Sequence, residues 1–347
     1  MKKITYILAF FVFQFISAQQ PYYDDVNLTL TGEALYDELQ DKISNASSSF
    51  NYGDARDIFL FSDLDPTNSN DVLLVYGYND SDGNPTTDRT RNKNDFGGSV
   101  GEYNREHVFA RSNPVPDMGT VNNSTTGIGA DPHNIRSSDQ QMNNNKGSRK
   151  FQDGSGNAGT VGSGNWYPGD EWKGDVARMM MYMYTRYGDR CLPSLNGVGA
   201  TEGATDMLQV YLEWNLEDPV SDYEDQRNAV LEVNYGNRNP FIDNPVLATI
   251  IWGGTPAEDR WDLLAITDFT AANAFVVYPN PSFDNTVTIA TVLPIDTLSL
   301  YTIDGKQLQL EYTTSSTNIT LEGIPSGFYL LQISSEGRRI TKKIIVQ

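Results

Sequence analysis

The chain has 347 residues, 39% of them hydrophobic and 20% charged, which suits two or three domains with buried cores and excludes a disordered tail or a membrane bundle. Its 25 Lys and Arg against 45 Asp and Glu give a formal charge of −20, which argues against a generic basic coat protein for nucleic acid. One cysteine, Cys191, rules out an internal disulfide framework and a cysteine-rich zinc site, and two histidines, His107 and His133, leave imidazole chemistry few places to be.

In chain order, Lys2 and Lys3 precede an apolar run from Ile4 to Ile16 and the small pair Ser17-Ala18. A basic start, a short apolar core and a small exit residue predict a secretory signal peptide over residues 1–18. The run is too short to span a bilayer comfortably, so no stable membrane span is expected. Gly32–Ser44 carries Leu35, Leu39 and Ile43 at helical spacing, Val72–Tyr78 reads as a strand, and Asn79–Thr87 as a turn. Ser138–Lys150 reads as a short amide-rich helix, and residues 153–164 (DGSGNAGTVGSG) as a loop without core-forming content. Helices are expected over Asp175–Tyr187, Asp206–Leu216 and Tyr223–Val233, with Met179–Met183 filling core space. From 275 to 347 the texture changes to short strands at Thr286–Ala290, Thr297–Thr302, Asn318–Leu321, Phe328–Ile333 and Ile340–Val346, separated by turn signals such as Asp304-Gly305. The fold class is therefore α+β, a mainly helical domain over 19–274 followed by a small all-β sandwich over 275–347.

Both histidines sit in a polar middle, in Asn104-Arg105-Glu106-His107-Val108 and Asp131-Pro132-His133-Asn134-Ile135-Arg136. Residues 86–151 hold nine basic against seven acidic residues, a near-neutral island in an acidic body of the kind a phosphate-binding face needs. A divalent-metal hydrolase requires oxygen donors for a hard cation and a base for water; a Glu and an Asn supply the first, a neutral imidazole the second. Adjacent Glu and His share a site only where a strand ends and the backbone turns. No HExxH zincin motif and no GxSxG elbow is present. From these residues alone an exported metal-assisted hydrolase is one reading. A surface-displayed Ca²⁺-binding or adhesive protein, and a metal phosphodiesterase acting on small phosphate esters, stay open.

Two resemblances go further. VYPNPS at 277–282, LYTIDGK at 300–306, IPSGFYLLQI at 324–333 and the ending RRITKKIIVQ resemble the C-terminal sorting domain of the type IX secretion system of Bacteroidetes-type bacteria. This implies a secreted or cell-surface protein whose partner is that secretion machinery; a carbohydrate-binding or adhesive β-domain shares the architecture. NREHVFARS at 104–112, ADPHNIRSSD at 130–139, NNNKGSRKF at 143–151, KGDVARMMMYMYTRYGD at 173–189 and YGNRNPFIDNPVLATIIWG at 235–253 resemble the bacterial endonuclease I family, built round a ββα-metal (His-Me) finger. By motif position the resemblance implies His107 as general base, Glu106 and Asn143 as metal ligands, and His133 as a supporting or structural histidine. Arg111, Arg136 and Lys146 become candidate phosphate contacts. It implies Mg²⁺, with Mn²⁺ or Ca²⁺ as substitutes, and a secreted, largely sequence-independent endonuclease acting on DNA, with RNA as a further substrate, that leaves 5′-phosphate and 3′-hydroxyl ends. An ordinary imidazole base implies a rate that falls below about pH 6.5. The chain departs from the family pattern at Phe109-Ala110 (usually Trp-Pro), Pro132 (Leu), Ser137 (Pro) and Lys146-Gly147-Ser148 (Arg-Gly-Asn), which bears on pocket shape and rate.

Overall fold

Side chains of Asn51, Asp139, Ser221 and Asn239 cap helix starts in the computed structural model, which describes residues 19–264, 275–291, 293–309, 311–314, 318–335 and 338–347. The expected signal peptide lies outside the described residues. The chain divides into two units at Trp261/Asp262, ahead of the boundary expected at 274/275; residues 265–274 are outside the described part. No described helix is long and apolar enough to cross a membrane.

In the first unit, α1 (Glu33–Ser44) buries Leu35, Leu39 and Ile43. Helix α2 (Tyr52–Ser62) opens on a capping box, Asn51 accepting from the Asp54 N–H and Asp54 from the Asn51 N–H. Strands β1 (Leu64–Asp65), β2 (Asn68–Leu73) and β3 (Thr90–Asn92) form a small antiparallel sheet. The strand expected over Val72–Tyr78 instead ends at Leu73. Gly77 donates back to the Leu74 carbonyl at 3.0 Å and Tyr76 takes φ 73°, a left-handed conformation rare for a bulky residue.

Strand β4 (Tyr103–His107) pairs antiparallel with β5 (Ile135–Asp139), and α3 (Gln140–Lys146) follows β5 directly. Asp139 makes that junction. One of its carboxylate oxygens caps the Gln141 and Met142 N–H groups, and the other takes the Arg91 guanidinium at 2.7 Å. The Gly-rich stretch read as a loop, 153–164, holds the first strand of a hairpin, β6 (Gly159–Val161), and its turn; β6 pairs with β7 (Asn165–Tyr167) just beyond it, where buried Trp166 and Tyr167 hold the second strand down. Then come α4 (Lys173–Tyr187), α5 (Pro193–Asn196), α6 (Gln209–Glu217), α7 (Asp222–Tyr235), α8 (Pro240–Asp243) and α9 (Val246–Trp252). Met179, Met180, Met181 and Met183 of α4 are all buried, as their core reading requires. Arg178 of α4 makes a bidentate pair with Glu224 of α7 at 2.6 and 2.7 Å, while Arg227 of α7 meets Asp63 and donates to the Ile135 carbonyl at the start of β5. These buried pairs tie the helices to the β4–β5–α3 unit.

The second unit has two four-stranded antiparallel sheets. Strands β10 (Thr297–Thr302), β11 (Gln307–Leu308), β14 (Gly327–Ser335) and β15 (Arg338–Val346) lie in the order β11-β10-β14-β15. Strands β8 (Val276–Tyr278), β9 (Val287–Ala290), β12 (Glu311–Thr314) and β13 (Asn318–Glu322) lie in the order β12-β13-β9-β8. Val287, Ile289, Leu300, Leu331, Ile333 and Ile344 form its core, following the period of two that the sequence displays.

Candidate active site

The end of β4 brings Glu106 and His107 together. His107 is the last residue of the strand, opposite Ile135, and both side chains line one open cleft of about 870 Å³ with Asn104, Arg105, Arg111 and Asn143. The turn after β4 is held from three sides. Asn134 receives the Phe109 N–H at 2.7 Å and returns its own amide to the Phe109 carbonyl; Lys146 Nζ and Asn196 Nδ2 both donate to the Val108 carbonyl, at 3.0 and 3.1 Å. This clamp lets neighbouring residues of a strand face the same cavity.

His107 is 6% exposed, and its Nε2 lies 2.9 Å from the Gly129 carbonyl. A carbonyl only accepts, so Nε2 carries the proton in the neutral ring and Nδ1 offers the lone pair. The Tyr52 ring stacks on the imidazole with centroids 5.2 Å apart and planes at 22°, and the Arg105 guanidinium lies 3.6 Å from the centre of the same Tyr52 ring. Arg105 also donates to the Tyr52 carbonyl and to Asn123 Oδ1. Burial, reinforced by the Arg111 and Arg105 charges against the opposing Gly129 hydrogen bond, lowers the His107 pKa to about 4. That corrects the expected value near 6.5: the imidazole is neutral over a wider range.

Glu106 is 4% exposed, with Oε1 shared by the Tyr76 hydroxyl and Lys146 Nζ, each at 3.3 Å. Burial pushes its carboxyl up and the Lys146 ammonium down, while each charge opposes the other's shift. Asn143 donates its amide to Asn104 Oδ1 at 2.7 Å and to the Arg105 carbonyl at 3.3 Å. These two bonds use the nitrogen and leave Oδ1 as the acceptor without a partner among the described residues. One carboxylate oxygen of Glu106 and one amide oxygen of Asn143 thus remain for a ligand. Two hard oxygen donors beside open solvent fit a cation such as Mg²⁺ that keeps several waters. No three His, Cys, Asp or Glu side chains converge as a metal site among the described residues.

Two of the three expected phosphate contacts are placed elsewhere. Arg136 is 1% exposed, faces Asp175 at 2.8 Å and lies over the Tyr223 ring; β5 is buried on both faces, so no residue of the strand reaches solvent. Lys146 is fully buried and supports Glu106 and the Val108 carbonyl. Arg111 alone of the three is exposed and lines the cleft, with no ion pair among the described residues. His133 packs against Tyr182 at 4.4 Å with Nε2 on the Asn237 carbonyl at 3.3 Å, outside the cleft, and burial lowers its pKa to about 4. The basic island is mostly consumed internally: Arg91 meets Asp88 and Asp139, Arg89 meets Glu171, and Lys150 caps the Ser194 carbonyl. Tyr52, Tyr76, Arg105 and the Gly129 carbonyl were not singled out from the sequence. The first two come from distant segments and the last is backbone, so local motif reading holds no signal for them.

The endonuclease I family model matches residues 31–246, and the secretion system C-terminal sorting domain matches residues 276–347. The extracellular ribonuclease of Bacillus subtilis (strain 168) is 39% identical over 237 residues, covering 64% of this chain and 75% of that protein. The extracellular ribonuclease of Bacillus amyloliquefaciens is 38% identical over the same shares. The chain belongs to the endonuclease I family and is a secreted or cell-surface nuclease carrying a C-terminal type IX sorting domain.

Proposed function

We propose that the protein hydrolyses phosphodiester bonds within RNA and DNA chains with little sequence preference, using His107 as base and one divalent cation, Mg²⁺ first, on Glu106 and Asn143. The observation that carries the reading is the His107 tautomer: Nε2 is committed to the Gly129 carbonyl, so Nδ1 is free to take a proton in a cleft that also offers two oxygen donors. Activity on RNA draws on the relatives named as ribonucleases.

His107 Nδ1 accepts a proton from the water that attacks phosphorus. The Gly129 carbonyl then stabilises the imidazolium through Nε2–H, and the Tyr52 stack keeps the ring in line. Arg111, with Arg105 at the cleft wall, draws the phosphate in and offsets its charge. Glu106 and Asn143 would hold the cation, which would supply positive charge near the phosphate and the departing 3′ oxygen. His107 is the one imidazole lining the cleft among the described residues, which favours water over a 2′-hydroxyl as nucleophile.

The test is end analysis of RNA and DNA fragments cut by the full chain in Mg²⁺. The reading expects 5′-phosphate and 3′-hydroxyl ends on both. A 2′,3′-cyclic phosphate on RNA, with DNA uncut, would overturn it; rapid turnover of a small chromogenic diester with both polymers intact would favour a small-ester phosphodiesterase.

A further inference from the structure

On the far side of α3 from the catalytic cleft lies a second, polar cavity of about 470 Å³, and Asn144 lines both. Its walls are the last turn of α3, the segment around Thr86 and the edge of the β6–β7 hairpin. This is the Gly-rich stretch to which the chemistry above gives no task. In a chain of formal charge −20, no Asp or Glu among the described residues lines this cavity.

What it offers instead are donors. Arg149 is exposed and has no acidic partner among the described residues; one guanidinium nitrogen closes α3 on the Asn145 and Lys146 carbonyls. The Trp166 N–H and carbonyl are taken by the Lys150 carbonyl and the Gln152 N–H on one side. Thr160, paired opposite Trp166, is therefore a non-hydrogen-bonded position of the hairpin and turns its own N–H and carbonyl to the open edge. The Trp166 side chain is 3% exposed and floors the cavity. The exposed Arg149 guanidinium with its remaining N–H groups, the outward Thr160 N–H and the absence of a carboxylate among the described lining residues make a surface for a multiply charged oxyanion.

We propose that this cavity is a distal phosphate subsite that holds the sugar–phosphate backbone of the nucleic-acid strand beyond the bond being cut, the strand crossing the α3 ridge at Asn144. The inference rests on the nuclease reading and deepens it. The subsite takes phosphate without reading bases, so it adds affinity for polymer and nothing for a single diester.

The experiment compares the full-length wild type with Asn145→Asp, Thr160→Glu and Arg149→Ala on a long single strand and on a dinucleotide. Adding a carboxylate at Asn145 or Thr160, both exposed, should raise KM for the strand about tenfold with kcat retained, and leave the dinucleotide parameters as in wild type. Arg149→Ala should also lower the slope of log KM against log salt by about one. Equal losses on both substrates would mean that the changes disturb α3 and the catalytic cleft, and would overturn the subsite. Wild-type parameters on the strand in Asn145→Asp and Thr160→Glu would overturn it as well, with the nuclease reading intact. A wild type that cuts neither substrate removes the nuclease reading and the subsite together.

Discussion

At the scale of single residues, the imidazole of His107 is fixed by an edge contact and a face contact, and the two have different consequences. His107→Ala should lower kcat for plasmid cleavage by about 10²–10⁴, the range of a lost general base. Tyr52 acts through the ring, since its hydroxyl has no hydrogen-bond partner among the described residues while its face covers His107. Tyr52→Phe should keep near-wild-type kcat and Tyr52→Ala should lose it with KM little changed; a Phe variant as impaired as Ala would make the hydroxyl a substrate contact instead. Both histidines are buried neutral with pKa values lowered to about 4. The activity limb on the acid side should therefore lie below the 6.5 of a free imidazole. The unfolded chain binds protons at these sites from about pH 6.5 downward and the folded chain only near 4. More protons on the unfolded state at these two sites means that the histidines' share of folding stability falls as pH drops through that window, against the buried Glu224 and Asp218 carboxyls, raised to about 7 and about 6, which act the other way; the share is measured as a smaller Tm loss from pH 7 to pH 4 in His133→Gln than in wild type. Glu106, His107 and Asn143 could be singled out in the sequence because their types sit in short motifs, and the fold brings all three to one cleft. Arg136 and Lys146, singled out in the sequence as candidate phosphate contacts, lie buried against Asp175 and Glu106, because a basic side chain reads the same whether it faces solvent or a buried carboxylate.

At the scale of elements, the catalytic geometry depends on where β4 stops, how the chain turns after it, and how α3 begins. Asp139 joins β5 to α3 while holding the buried Arg91. Asp139→Ala removes the cap and leaves a buried guanidinium without that partner, a loss of about 3–5 kcal/mol that should appear in chemical denaturation and lower activity through displaced Asn143. Asp139→Asn retains a capping oxygen and should fall between the two. Helix α1 was visible in the sequence from Leu35, Leu39 and Ile43, because one-sided burial imposes a period; α4, buried on all sides over residues 174–183, was visible instead from its unbroken Met-rich run. The end of β2 was not, since Tyr76 adopts its left-handed backbone where long-range packing brings its hydroxyl to Glu106. The β6–β7 hairpin was hidden for a related reason: its stability comes from Trp166 and Tyr167 packing under a stretch that is otherwise Gly and Ser.

For the whole molecule, the two units have separate cores, and the described residues that line the proposed catalytic cleft belong to the first. A chain ending near residue 264 should cut nucleic acid at the rate of the full chain, and loss of turnover on truncation would show that the second unit supports the first. The account as a whole stands on metal-assisted hydrolysis by His107, and the most direct measurement is cleavage of supercoiled plasmid by the full chain in Mg²⁺, in EDTA, and with His107→Ala. The expected result is nicking in Mg²⁺ that vanishes both with EDTA and with the substitution. Cleavage that survives His107→Ala, or that persists without metal, would contradict it.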